Sequence, residues 1–279
     1  MLRKDGATEN QLKMSGVDKI DGAMSSSAEP DVANSERLPQ QGLTRSIALH
    51  LLPGAVTTAI YIACVPAVTR AGYPPLAALL IASLVGLIPI ELGILIFEGK
   101  RKNARWSLDG ILLYREKWPI SRYFTVVPVL VFICIVAYGI SLPLDRVWAG
   151  AAFSWLPPWY VFTSVKQYAG FGRLALSVTF GVRIVVFLVI SAVQEMYFRA
   201  YLLPRISRFG IRAVFLNCAL YAIYHFWLPT SMPGLFLASL PIALATWMSK
   251  NYRVGMTTQV ILGFLGSLLG LLAVIHHSR

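Results

Sequence analysis

Acidic side chains are scarce in this chain. Its 279 residues include 13 Asp and Glu against 25 Lys and Arg, and charged residues of both signs reach only 14%. A soluble domain carries about 25%, so a soluble class is excluded, and a 56% hydrophobic content points to a membrane class instead. Cysteine is also sparse. Cys64, Cys134 and Cys218 each lie in an apolar run and form no CxxC pair. That excludes a disulfide framework or a zinc knuckle and leaves them as small core residues. The net charge of +12 does not indicate nucleic acid, because the basic residues sit between apolar runs rather than on one patch. They read as topology determinants facing anionic lipid headgroups.

The first 44 residues hold no apolar h-region, so no cleavable signal peptide is expected. The segment 1–44 is polar, Ser- and Pro-bearing and mixed in charge, which predicts a disordered cytoplasmic tail. No internal repeat stands out. A bilayer span needs about 20 apolar residues. Seven runs qualify, at 46–69, 75–97, 123–142, 174–198, 211–228, 233–249 and 254–275. The expected fold is therefore an all-α polytopic helical membrane protein with about seven transmembrane helices. Residues 45–170 supply the first spans and a basic loop, and 171–279 the remaining bundle.

Charge then sets orientation. The segment "EGKRKNARWSLDGILLYREKWPISR" is rich in Lys and Arg. Arg199, Arg205, Arg208 and Arg212 mark the next basic connection, and Lys250 and Arg253 a third. Seven spans with the N-terminus cytoplasmic and the C-terminus outside satisfy this pattern. The expected location is the plasma membrane. "SWLPPWYVF", aromatic and Pro-rich, is expected to anchor at the far interface.

Ionisable residues inside a membrane are functional candidates. His50 and Glu91 stand isolated in the first half. In "SAVQEMYFRAYLLPR", Glu195 and Arg199 are four apart and share a helix face, a spacing that forms an ion pair. In "LYAIYHFWLP", Tyr221 and His225 share a face in the same way. Histidine is a general acid/base or a metal ligand, and equally a hydrogen-bonding partner between helices. Thr257, Thr258 and Gln259 are polar residues within the last span. Gly255, Gly263 and Gly266 near them would let helix backbones approach.

The order of these motifs resembles that of the CPBP intramembrane proteases, the family of type II CAAX prenyl endopeptidases and bacterial Abi proteins. Its first motif is Glu-Glu-x-x-x-Arg, a small residue and then Leu-Pro. Gln194, Glu195, Arg199, Ala200, Leu203 and Pro204 fall into that register. The second motif, Phe-x-x-x-His, looks like Tyr221-x-x-x-His225. The third, His-x-x-x-Asn, falls on Gln259 and Gly263. The resemblance covers roughly 174–275 and implies a CPBP-like core bundle. It also implies an intramembrane cavity in which a carboxylate and histidines activate water against a peptide bond. The implied substrates are prenylated tails or small hydrophobic peptides.

The chain departs from that pattern where the chemistry lies. Gln194 replaces the base, and an amide does not accept a proton at useful pH. Gln259 replaces a histidine and Gly263 the asparagine. The resemblance suggests a divalent metal such as zinc, with His225 as a ligand. A hydrolytic zinc site normally has three protein ligands, so this set is incomplete.

Three readings remain. In an active endopeptidase, Glu195 is the base and His225 the acid/base or metal ligand. Arg199 orients the carboxylate, Tyr221 supports the site, and Gln194 and Gln259 act as oxyanion donors. In a catalytically impaired pseudo-protease, the same cavity binds a hydrophobic peptide or membrane-protein partner, or scaffolds one. In a transporter, the polar residues line a path, although no inverted repeat supports that reading. Membrane lipids are partners in every case, and nucleic acid in none. The spans place Glu195 and His225 about 10 Å apart in depth. Convergence of Glu195, His225 and Gln259 on one cavity is what the endopeptidase reading requires.

Overall fold

In hydrocarbon every backbone N–H and C=O must find its partner inside the segment, which leaves the helix as the spanning form for a single run. The computed structural model describes residues 38–160 and 165–277, and the long apolar runs among them are mostly helical. No strand occurs among the described residues; Arg115 and Asn251 form one isolated antiparallel bridge. The predicted tail lies outside the described residues as far as residue 37.

The helices are α1 (Leu43–Arg70), α2 (Pro75–Asn103), α3 (Ile120–Ala152), α4 (Arg173–Phe209), α5 (Arg212–Tyr224), α6 (Met232–Ser249) and α7 (Tyr252–His277). All but α5 are long and apolar enough to cross a membrane, α6 together with the turn Pro229–Ser231 before it. The chain is an integral membrane protein.

Six long helices and one short apolar helix agree with the expected polytopic helical fold of about seven transmembrane helices, with α5 shorter than the run 211–228 suggested. The run 211–228 is largely apolar, but α5 stops after 13 residues. That is roughly 20 Å of helix against roughly 30 Å of hydrocarbon. It ends because His225 leaves helical geometry (φ −77°, ψ 53°) and Leu228 precedes Pro229, which disfavours helix at Leu228.

Backbone contacts sort the connections into two ends. At one end Gln41 N donates to Arg205 O at 3.0 Å, Leu113 N to Ala200 O at 2.8 Å, and Tyr252 N to Tyr114 O at 2.8 Å. The start of α1, the basic 104–119 loop, the end of α4 and the α6–α7 turn therefore meet. At the other end Trp148 Nε1 donates to Pro229 O at 3.0 Å and Tyr160 Oη to Phe226 O at 2.7 Å. In the described part of the predicted anchor "SWLPPWYVF", Trp159 and Tyr160 pack against Tyr61 of α1 there, while Trp155 is exposed. The chain thus passes seven times between the ends, once by the short α5.

Two helices depart from α geometry. Pro89 lacks the N–H that would bond to Val85, and α2 widens into a π turn over Ser83–Leu87 just before it. In α4 the α-helix ends at Gln194, a π segment spans Glu195–Leu202, and a 3-10 turn spans Leu203–Phe209. Such bulges concentrate at functional sites, and this one begins inside the motif that the sequence singled out.

Candidate functional site

Between the helices lies a cavity of about 660 Å³. Its wall is mostly apolar, with Leu, Phe and Gly from α2, α4, α6 and α7 and with Cys134, Ile135 and Tyr138 from α3. Gln194, Tyr221, His225 and Gln259 all line it, and Gly263 lines it beside them. Glu195 and Arg199 do not. The lining contains no Asp or Glu; Arg183 is its cation.

The start of the π segment separates the two neighbours of the first motif. Gln194 points into the cavity. Glu195 points between α4, α6 and α7, where a Cβ on Gly255 would lie 2.6 Å from Glu195 Oε2 and 2.7 Å from Thr246 Oγ1. The bare Cα of Gly255 is what lets the carboxylate fit. Both Glu195 and Arg199 are 1% exposed, with Arg199 Nε 3.8 Å from Glu195 Oε1. That separation is an ion pair without a hydrogen bond. Glu195 Oε2 has no hydrogen-bond partner.

Arg199 is held instead by α5. Its Nη1 donates to Asn217 Oδ1 at 2.9 Å, and its guanidinium lies 4.8 Å from the Tyr221 ring centroid. Asn217 Nδ2 faces His50 Nε2 at 3.0 Å, and His50 Nδ1 faces Ser46 O at 2.7 Å. A chain of polar groups therefore joins α4 through α5 to α1.

A second chain reaches the cavity. Tyr221 Oη donates to Gln194 Oε1 at 3.3 Å. Gln194 Nε2 donates to Tyr224 Oη at 3.2 Å. Tyr224 Oη donates to Glu91 Oε1 at 2.6 Å. The structure corrects the reading of His50 and Glu91 as isolated: each is the far terminus of a network that begins in the motif region. Sequence reasoning missed them, along with Asn217 and Tyr224, because their partners are 167 and 133 residues away. The signal present was an ionisable side chain in an apolar run.

His225 Nδ1 faces Tyr221 O at 2.8 Å, and the ring packs between Tyr221, Tyr224 and Trp227. With the Nδ1 proton on that carbonyl, Nε2 is an acceptor. In the antiparallel pairing of α4 with α5, Phe198 and Arg199 meet Asn217 and Gln194 meets Tyr221. Glu195 then lies about five residues, or roughly 7 Å, from the level of His225. Gln194 lies only one residue nearer that level; what separates the two is facing, since Gln194 lines the cavity with His225 and Glu195 does not.

Residues 176–265 match the family model of the type II CAAX prenyl endopeptidase Rce1-like proteins. The match is consistent with the CPBP resemblance of this segment. No curated protein and no solved structure gives a significant match. The matched stretch runs from α4 through α5 and α6 into α7, so it includes the lining residues Gln194, Tyr221, His225, Gln259 and Gly263. A zinc ion held as in such enzymes does not fit the donors present. No cluster of three or more His, Cys, Asp and Glu able to hold a metal occurs among the described residues, and His225 alone does not make a hydrolytic site.

Proposed function

We propose that this CPBP-type core is a catalytically impaired pseudo-protease that holds a hydrophobic peptide or lipid-modified tail in its cavity without hydrolysing it. One observation carries the reading: the cavity-facing position of the first motif is an amide, Gln194, while the carboxylate of Glu195 is turned away into the Arg199 pair. Hydrolysis needs a group that takes a proton from water within hydrogen-bond reach of the reacting carbonyl. Gln194 and Gln259 offer amide donors and acceptors, which bind a peptide carbonyl but do not deprotonate water. The largely apolar wall suits a hydrocarbon chain. On this reading Glu195 and Arg199 are structural, and His225, Tyr221, Gln194 and Gln259 contact the ligand.

We further propose that the end carrying the basic loops, and with it the N-terminus, faces the cytoplasm.

The test is to reconstitute the purified chain in lipid nanodiscs with a fluorescent farnesylated tetrapeptide, following binding by anisotropy and cleavage by mass spectrometry. Saturable binding without cleavage is expected. Turnover that Glu195→Gln abolishes would overturn the reading in favour of an active endopeptidase.

A further inference from the structure

Glu91 is absent from every motif of the sequence and from the cavity lining, yet hydrogen bonds through Tyr224 join it to Gln194, which faces the cavity. It sits on α2, fully buried, and the described residues place no cation in an ion pair with it. Its Oε1 accepts the Tyr224 hydroxyl at 2.6 Å, and its Oε2 has no hydrogen-bond partner. A buried carboxyl with one oxygen unsatisfied destabilises the fold, so its position asks for another explanation.

The hydrogen-bond directions supply one. A phenol has a single proton. With that proton directed at Glu91, the Tyr224 oxygen can only accept from Gln194. It selects the Nε2 edge of the amide and rejects the oxygen edge. Tyr221 Oη, donating to Gln194 Oε1 from the other side, agrees with the same orientation. An amide nitrogen carries two N–H groups, and Tyr224 takes one. The second remains on a side chain that lines the cavity.

The packing keeps this chain of groups in place. Tyr224 is 0% exposed. Gly54 of α1 sits against the Tyr224 backbone and ring so closely that a Cβ there would collide with both. The Phe198 and His225 rings close the remaining sides, with centroids at 4.9 Å each.

We infer that Glu91 is a positioning residue for the cavity: through Tyr224 it locks the Gln194 amide so that one N–H is presented to a ligand carbonyl. Its role rests on the binding reading above for the identity of the ligand, but not for the orientation of the amide. Glu91 is no general base for the cavity, because an amide stands in the chain between it and any ligand. Without an acceptor at position 91, the Tyr224 proton is free to turn to Gln194, the amide rotates, and its oxygen edge replaces the donor edge.

The orientation is read by selective ¹⁵N-glutamine labelling, with the Gln194 side-chain amide signal assigned by its loss in Gln194→Leu. Glu91→Leu and Tyr224→Phe should both move that signal, whereas Glu91→Gln, which keeps an oxygen acceptor, should leave it at the wild-type position. Affinity for the farnesylated tetrapeptide should fall roughly tenfold in Glu91→Leu and Tyr224→Phe, the effect of one lost hydrogen bond, and stay near wild type in Glu91→Gln. If Glu91→Leu fails to fold, Glu91→Met, which also lacks an oxygen acceptor, takes its place. An unmoved Gln194 signal in a folded Glu91→Leu or Tyr224→Phe protein overturns the role of Glu91. A wild-type protein that does not bind the peptide overturns the binding reading alone, and the amide signal then decides the role of Glu91 by itself.

Discussion

Replacing Arg199 with Met should destabilise the protein, and replacing Glu195 with Gln in the same chain should restore much of the loss. Arg199 and Glu195 are both 1% exposed. Arg199→Met removes the charge-assisted bond to Asn217 Oδ1 at 2.9 Å, which contributes about 1.5–3 kcal/mol. It also leaves the Glu195 carboxylate buried with no cation. Breaking a buried pair from one side costs about 3–5 kcal/mol. Neutralising the acid removes most of that second penalty, so the double variant should recover roughly 2 kcal/mol, while Glu195→Gln alone should cost under about 1.5 kcal/mol. Cys134 and Cys218 are buried free thiols, so a thiol-reactive dye reports unfolding in detergent directly. A loss of 4 kcal/mol corresponds to roughly 10 °C in Tm. Equal melting of Arg199→Met and the double variant would refute the pairing. Glu195→Gln as damaging as Arg199→Met would refute it too.

Three further outcomes follow from the packing. Gly255→Ala should cost about 1–3 kcal/mol, because the new Cβ meets Glu195 Oε2 and Thr246 Oγ1 at under 3 Å; the same dye assay measures it. Cysteines placed at Ser107 and Lys250 should react with an impermeant maleimide from one side of the membrane and a cysteine at Gly170 from the other. Reaction of all three from one side would contradict the assignment of bundle ends. The double variant Gln194→Glu, Gln259→His should give the cavity the acid and the second histidine it lacks, and farnesylated-peptide hydrolysis, followed by mass spectrometry, should appear. Gly263→Asn is left out of that design, because a Cβ there would press on Ser191 Oγ at 2.7 Å.

Much of this architecture was legible in the sequence, because hydropathy and the hydrocarbon thickness act on a whole segment at once. α1 begins at Leu43, three residues before the apolar run read from the sequence. The basic loops that the sequence grouped on one side do meet, as the Glu116 N to Lys250 O bond at 3.0 Å shows. The early end of α5 was not legible: Pro229 marks a stop only at Leu228, and the backbone already leaves helical geometry at His225. At the site, the four-residue spacing named the Glu195–Arg199 pair and the Tyr221–His225 pair. It did not say which of Gln194 and Glu195 faces the cavity, because that depends on the π segment and on room made by Gly255, a residue on another helix. The partners of Glu91 and His50 were invisible for the same reason, since hydrogen bonds across the bundle leave no periodicity in the chain.

The most direct test compares Gln194→Ala with Glu195→Gln for affinity toward the farnesylated tetrapeptide in nanodiscs. If the amide faces the ligand and the carboxylate is structural, Gln194→Ala weakens binding roughly tenfold and Glu195→Gln leaves it unchanged. Loss of binding in Glu195→Gln with Gln194→Ala unaffected would contradict the account.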